Sequence, residues 1–133
     1  MDSVVHFEMP YGDRDRMKTF YESAFGWKTE TLGPEMGNYV VARTTETGPD
    51  GRPVTPGAIN GGFYERPAGD MGQHPSVVIA VDDVHAAMQK VTAAGGTIHG
   101  EPMEIPGVGQ YVSFQDTEGN RVSILQPLPR TMP

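Results

Sequence analysis

A chain of 133 residues is long enough to bury a core of its own, and 37% hydrophobic with 20% charged residues is the balance of a folded domain rather than a disordered one. The formal net charge of −7 sets it against nucleic-acid backbones and anionic lipid surfaces as partners. The absence of cysteine excludes disulfides, thiolate nucleophiles and thiolate metal sites.

The N-terminal run Met1-Asp2-Ser3-Val4-Val5-His6 has no basic segment leading into an apolar one. No apolar stretch approaches the ~20 residues that cross a bilayer, so the expectation is a cytoplasmic protein without a membrane partner. Val4 to Met9 reads as a strand ended by Pro10. Asp13 to Ala24 reads as a helix, with Met17, Phe20, Tyr21 and Ala24 at i, i+3, i+4 and i+7, Asp13 as cap and Gly26 as stop. Short strands follow at Trp27–Thr31 and Gly37–Arg43. The Gly- and Pro-rich stretch Thr44–Gly57 reads as an exposed loop, Ala58–Tyr64 as a Gly-rich strand and Arg66–Pro75 as a connector.

The order then recurs. Ser76–Val81 is a strand, and Asp82–Ala94 a helix with Val84, Ala87, Met88 and Val91 on one stripe, stopped by Gly95-Gly96. Thr97–Met103, Gln110–Gln115 and Asn120–Gln126 are strands, the last two joined by the turn Asp116-Thr117-Glu118-Gly119-Asn120. Pro34-Glu35-Met36-Gly37-Asn38-Tyr39-Val40 is echoed by Pro106-Gly107-Val108-Gly109-Gln110-Tyr111-Val112, 72 residues later. Two copies of one supersecondary unit are the simplest source of such an echo. The predicted class is α+β: a single domain, 1–133, built of two βαβββ repeats at about 3–65 and 74–127. Each has its helix outside a curved mixed sheet, and the two pair around a central cavity. Strand alternation puts Val5, Phe7 and Met9 on one row, Val77, Ile79 and Val81 on another and Val122 with Ile124 on a third, under the helices. The opposite rows carry His6, Glu8, Ser76 and Ser123 toward the hollow.

Three stretches, taken in order, resemble one family. They are His6 followed by Gly12-Asp13-Arg14-Asp15-Arg16-Met17-Lys18-Thr19-Phe20-Tyr21 and on to Gly26-Trp27; Val81-Asp82-Asp83-Val84 leading to Ala93-Ala94-Gly95-Gly96; and Phe114-Gln115-Asp116-Thr117-Glu118-Gly119-Asn120 running into Arg121–Gln126. With the internal repeat they are similar to the vicinal oxygen chelate superfamily: glyoxalase I, bleomycin-resistance proteins and extradiol dioxygenases. The resemblance implies a glyoxalase-like fold, a small organic ligand and a homodimer. It also implies four inward side chains, usually His, Glu or Gln, chelating one divalent ion. His6 stands at the first ligand position, Ser76 at the third and Ser123 at the fourth, while the second falls in Ala58–Phe63, which has none of those residue types. Serine hydroxyls suit a transition ion poorly. The expectation is therefore no cofactor and no metal, with His6 the only conventional ligand position retained, in a protein that sequesters a small molecule or performs modest acid–base chemistry. The alternative is a metal-dependent lyase or isomerase of the glyoxalase I type.

His6 and Glu8 lie on one row some ~6–7 Å apart, the spacing of alternate strand residues. They read equally as a catalytic acid–base pair or as a satisfied polar pair in a barrel wall. A carboxylate so near is expected to raise the His6 pKa. Tyr39 and Tyr111, related by the repeat, are candidates to stack a planar ligand, which core packing would explain equally well, and Arg121 is a candidate to hold an anionic one, against the commoner exposed strand-end arginine. Asn60, Ser76 and Ser123 complete the ligand-binding set. His74 and His85 read as surface residues, and His99 as an edge-strand residue without a role.

Overall fold

The computed structural model describes residues 1–70 and 72–129. The elements are β1 (Val4–Tyr11), α1 (Arg14–Phe25), β2 (Lys28–Thr31), a 3-10 turn at Pro34–Met36, β3 (Val40–Arg43), β4 (Asn60–Glu65), β5 (Ser76–Ala80), α2 (Val84–Ala93), β6 (Thr97–Ile105), β7 (Gly109–Gln115) and β8 (Arg121–Pro127). The chain thus runs βαβββ twice, an α+β architecture. Two compact units divide it. The first module is His6–Pro75, and the second runs from Ser76 onward together with Met1–Val5.

In the first module the strands lie in the order β2-β3-β4-β1. β1 and β4 are parallel, with His6 opposite Asn60 and Glu8 opposite Gly62, and the other pairs are antiparallel. Pro10 does not end β1. It pairs with Tyr64, and the strand continues to Tyr11. A parallel strand sends only alternate N–H groups toward a given neighbour, so a proline fits at the intervening positions. Asp13 caps α1 through its carboxylate, which accepts from Arg16 N at 3.0 Å. Gly26 closes the helix in the left-handed conformation, φ 72°, which costs a glycine no Cβ clash. The core gathers Tyr11, Val40, Ala42 and Phe63, with Phe7, Met9, Met17, Tyr21 and Trp27 packed against it.

Only half of the expected stripe on α1 is used. Met17 and Tyr21 reach the core, but Phe20 is 57% exposed and Ala24 is exposed too, as is Phe25 off the stripe at 64%, and no residue of α1 is fully buried. The aromatic rings instead pack on one another: Tyr21 stacks on Trp27 at 4.7 Å between centroids, and Phe20 meets Tyr21 edge-on at 5.0 Å.

The second module orders its strands β5-β8-β7-β6, again with one parallel pair, β5 and β8. Here the helix seats its whole stripe. Val84 is buried, and Ala87, Met88 and Val91 pack on a core of Val81, Val112, Phe114 and Ile124. Asp83 caps α2 through Ala86 N at 3.0 Å, and Gln126 Oε1 accepts from Val84 N at 2.9 Å, tying β8 to the start of the helix. The turn at 116–120 closes on Asp116, whose carboxylate accepts from Asn120 and Glu118 and is held below its ordinary pKa by those bonds, the Asn120 side chain's foremost. Among the described residues no helix is long and apolar enough to cross a membrane.

Phe63 is 1% exposed at the centre of the first core, so Phe63→Ala should remove about 3–5 kcal/mol of stability in urea unfolding. The exposed Phe25→Ala should stay within about 0.5 kcal/mol. A similar loss in both would mean that the aromatic cluster on α1 is as much a core as Phe63.

Candidate functional site

The polar row of the first module begins on β1. His6 is half-buried and Glu8 is only 7% exposed. The His6 Nε2 lies 3.1 Å from the Tyr39 hydroxyl, the tautomer deciding which of the two donates. Burial pushes the His6 pKa below its ordinary value of about 6.5, and the opposing pull of the Glu8 carboxylate is the smaller effect. The expectation of a raised pKa is therefore corrected. Taking the imidazole out of water disfavours the cation more than one neighbouring carboxylate restores it. The lowered pKa favours the neutral imidazole at pH 7.

Tyr39 reaches His6 because of a residue that carries no side chain. Gly61 and Gly62 are adjacent on β4 and so face opposite sides of the sheet. A Cβ on Gly61 would meet the Phe7 ring at 2.5 Å, and a Cβ on Gly62 would fall on the phenol of Tyr39. The Tyr39 ring lies across the bare backbone of Gly62 and presents its hydroxyl to the next strand.

Asn60, directly opposite His6, has its side-chain oxygen committed elsewhere: it accepts from Thr44 N at 2.8 Å and Thr45 N at 3.2 Å and so anchors the start of the loop after β3. His74 is exposed.

The second module repeats the tyrosine device with a different end. The Tyr111 hydroxyl lies 2.6 Å from Ser123 Oγ, and Ser123 is wholly buried. Tyr111 faces Leu125, and Ser123 stands two residues before that partner on β8. In the first module Val40 faces Phe63, so one step along the same register Tyr39 faces Tyr64 and the place of Ser123 falls to Gly62. By the same logic Val78, opposite Ser123, stands where Glu8 stands, and Ser76 where His6 does. Ser76 Oγ is buried with no hydrogen-bond partner among the described residues. Arg121 is half-buried at the start of β8, opposite Gln115. His85 is exposed on α2, and His99 on β6 faces Ser113 with its Nε2 buried and unpartnered among the described residues.

Sequence reasoning placed His6, Glu8 and Tyr39 on inward rows but missed Gly62 as the seat of Tyr39. The signal was present, since the repeat puts a side chain at 123 and none at 62.

The donor set does not suit a chelated divalent ion. The first module offers one imidazole and one carboxylate, and the matching places of the second hold Ser76 and Val78, neither a good ligand. Among the described residues no three His, Cys, Asp or Glu side chains are grouped to hold an ion.

The family described as Glyoxalase/Bleomycin resistance protein/Dioxygenase superfamily matches residues 3–124. CFP32 of Mycobacterium tuberculosis (strain CDC 1551 / Oshkosh), a candidate glyoxylase, is 32% identical over 117 residues, covering 87% of this chain and 41% of that protein. Lactoylglutathione lyase GLX1 of Arabidopsis thaliana is 27% identical over 97% of this chain and 46% of its own length. The chain thus spans less than half of these curated relatives. A structure of methylmalonyl-CoA epimerase with methylmalonyl-CoA and NH4+ superposes with a TM-score of 0.70 at 16% identity, covering 100% of this chain and 99% of the other. A superfamily member from Vibrio splendidus 12B01 gives 0.60 at 15% identity over 95% and 99%. At such identities the structural likeness establishes the fold.

In the unfolded chain His6 titrates near pH ~6.5, and in the folded chain lower, so between the two values the unfolded state binds more protons. The His6 contribution to stability is then complete above about pH 6.5 and lost as pH falls through the folded pKa. NMR titration should place the His6 midpoint below its ordinary value of about 6.5, and His6→Asn should flatten this part of the stability profile. Gly62→Ala should keep the fold but displace the Tyr39 ring, erasing the Tyr39-to-His6 contacts in NMR spectra and costing about 1–3 kcal/mol of overpacking. A His6 midpoint above 6.5, or undisturbed Tyr39 contacts in Gly62→Ala, would refute this geometry.

Proposed function

The chain belongs to the Glyoxalase/Bleomycin resistance protein/Dioxygenase superfamily, and on that premise we propose that it binds a small organic molecule on the polar face of its first module, without the divalent ion that many members use. The observation that carries the reading is the His6 imidazole, half-buried and neutral, held by Tyr39 beside the buried Glu8 carboxylate. A neutral imidazole is an acceptor for a hydroxyl or for an acidic C–H, and a buried carboxylate next to it is a second proton-holding group. The ligand would be oriented by His6, Tyr39 and Glu8. The outcome is either sequestration or a proton transfer of the lyase or isomerase kind, His6 and Glu8 serving as the catalytic pair. Asn60 would contribute by holding the loop start.

The second reading, a metal-dependent lyase or isomerase of the glyoxalase I type, is favoured by the lactoylglutathione lyase among the relatives. Two measurements separate them. Metal analysis of protein purified without chelator should give far less than one Zn, Ni or Fe per chain; a stoichiometric ion, or activity restored by one, overturns the metal-free reading. In a thermal-shift and calorimetry screen of metabolites and antibiotics, His6→Ala and Tyr39→Phe should each weaken a hit two- to tenfold, the loss of one neutral hydrogen bond worth about 0.5–1.5 kcal/mol. Unchanged binding in both variants would remove this face from the site.

We also infer a cytoplasmic homodimer. Sedimentation at micromolar concentration should give twice the chain mass of 14.4 kDa, and a value of one chain mass rejects it.

A further inference from the structure

We propose that the cavity beneath α1 in the first module is a second ligand site, on the opposite side of the sheet from His6, and that it takes an amphipathic carboxylate: an apolar chain or ring carrying a single acidic head. The cavity holds about 460 Å³, within the span of small-molecule sites. Its apolar lining is Met9, Met17, Tyr21 and Phe63, with Phe20 beside them still 57% exposed. Met9 and Phe63 lie on the helix side of the sheet, whereas His6 and Glu8 lie on the other. The space exists because α1, unlike α2, does not seat its stripe. Methionine walls adapt to ligand shape at small cost.

The polar lining decides the class of ligand. Asp13 is occupied as the cap of α1, the Tyr11 hydroxyl donates to Asn38 O at 2.8 Å, and the Gln73 amide donates to Pro67 O and Gly69 O at 2.7 and 2.9 Å. Those bonds tie the Gln73 side chain back to the start of the connector. Arg16 and Arg66 also line the cavity, and neither guanidinium forms an ion pair among the described residues. Two arginines against one aspartate leave a positive lining in a chain whose net charge is −7. Apolar floor and unmatched guanidinium groups together fit a carboxylate at the end of an apolar body, since arginine pairs with carboxylates through two parallel hydrogen bonds.

The chain has one tryptophan, Trp27, stacked on Tyr21 of the cavity wall, so its fluorescence reports occupancy. Decanoate, used below its micelle concentration, should change Trp27 emission saturably, and decanol should bind at least tenfold more weakly. The Arg16→Gln/Arg66→Gln double variant and, independently, Phe20→Glu should each lose at least tenfold for decanoate while keeping the wild-type circular dichroism spectrum. Tyr39→Phe, on the other face, should bind decanoate as the wild type does. No saturable change, equal affinity for decanol, decanoate affinity unmoved in both charge variants, or loss of decanoate binding in Tyr39→Phe would each overturn the proposal.

Discussion

Two adjacent glycines set the geometry on which the first module depends. Gly61 and Gly62 leave β4 without side chains on either face, and an aromatic ring closes on each: Phe7 from the helix side and Tyr39 from the polar side. The strand is thinnest where the sheet must pass from core to site. Phe7 can lie flat over its register partner and carry the packing on toward Trp27, 5.6 Å away between ring centroids. On the other face Tyr39 gains the reach that brings its hydroxyl to His6. Any larger residue at 62 would hold the phenol off and leave a half-buried imidazole without this partner, an arrangement that costs free energy in a low-dielectric wall.

Much of this was legible in the sequence because it rests on local rules. Asp13 and Asp83 lie just before amphipathic periods, and Gly26 and Gly95 just after, so caps and stops bound both helices. The row of Phe7 and Met9 alternates with that of His6 and Glu8, so the sides of β1 followed from period two alone. What the sequence withheld depends on several strands at once. The sign of the His6 shift is a contest between burial and one carboxylate, and burial is a property of the folded sheet. The outward turn of Phe20 has no local signature, since its place on the stripe matches that of Ala87 in α2, which packs inward. Asn60 sat on an inward row, yet its oxygen turned to the backbone of Thr44 and Thr45, a partner fifteen or so residues away that alternation does not reveal.

The two modules share a framework and differ in what they bury. Each has one parallel strand pair, one helix and one tyrosine tether, but α2 is seated fully and α1 only in part. A fully seated helix spends its apolar face on stability. A partly seated one leaves volume and exposed aromatic surface, and in the first module that volume lies on the far side of the sheet from the imidazole. Both faces of this module therefore carry features that stability alone does not require.

The second module serves as an internal control for the polar face of the first. Whatever a tyrosine hydroxyl does to tether neighbouring strands is accomplished there by Tyr111 on the buried Ser123, with Val78 and Ser76 at the places of Glu8 and His6. A hydroxyl pair and a valine therefore suffice for the fold at this point. The first module instead removes an imidazole and a carboxylate from water, a choice that lowers stability unless both groups are satisfied. The same comparison speaks against chelation. An ion needs several good ligands, whereas the place that matches His6 in the second module holds a serine, a poor one. The first module keeps an imidazole and a carboxylate where the second has a serine and a valine, a difference that the shared framework does not require and that the proposed polar ligand would use.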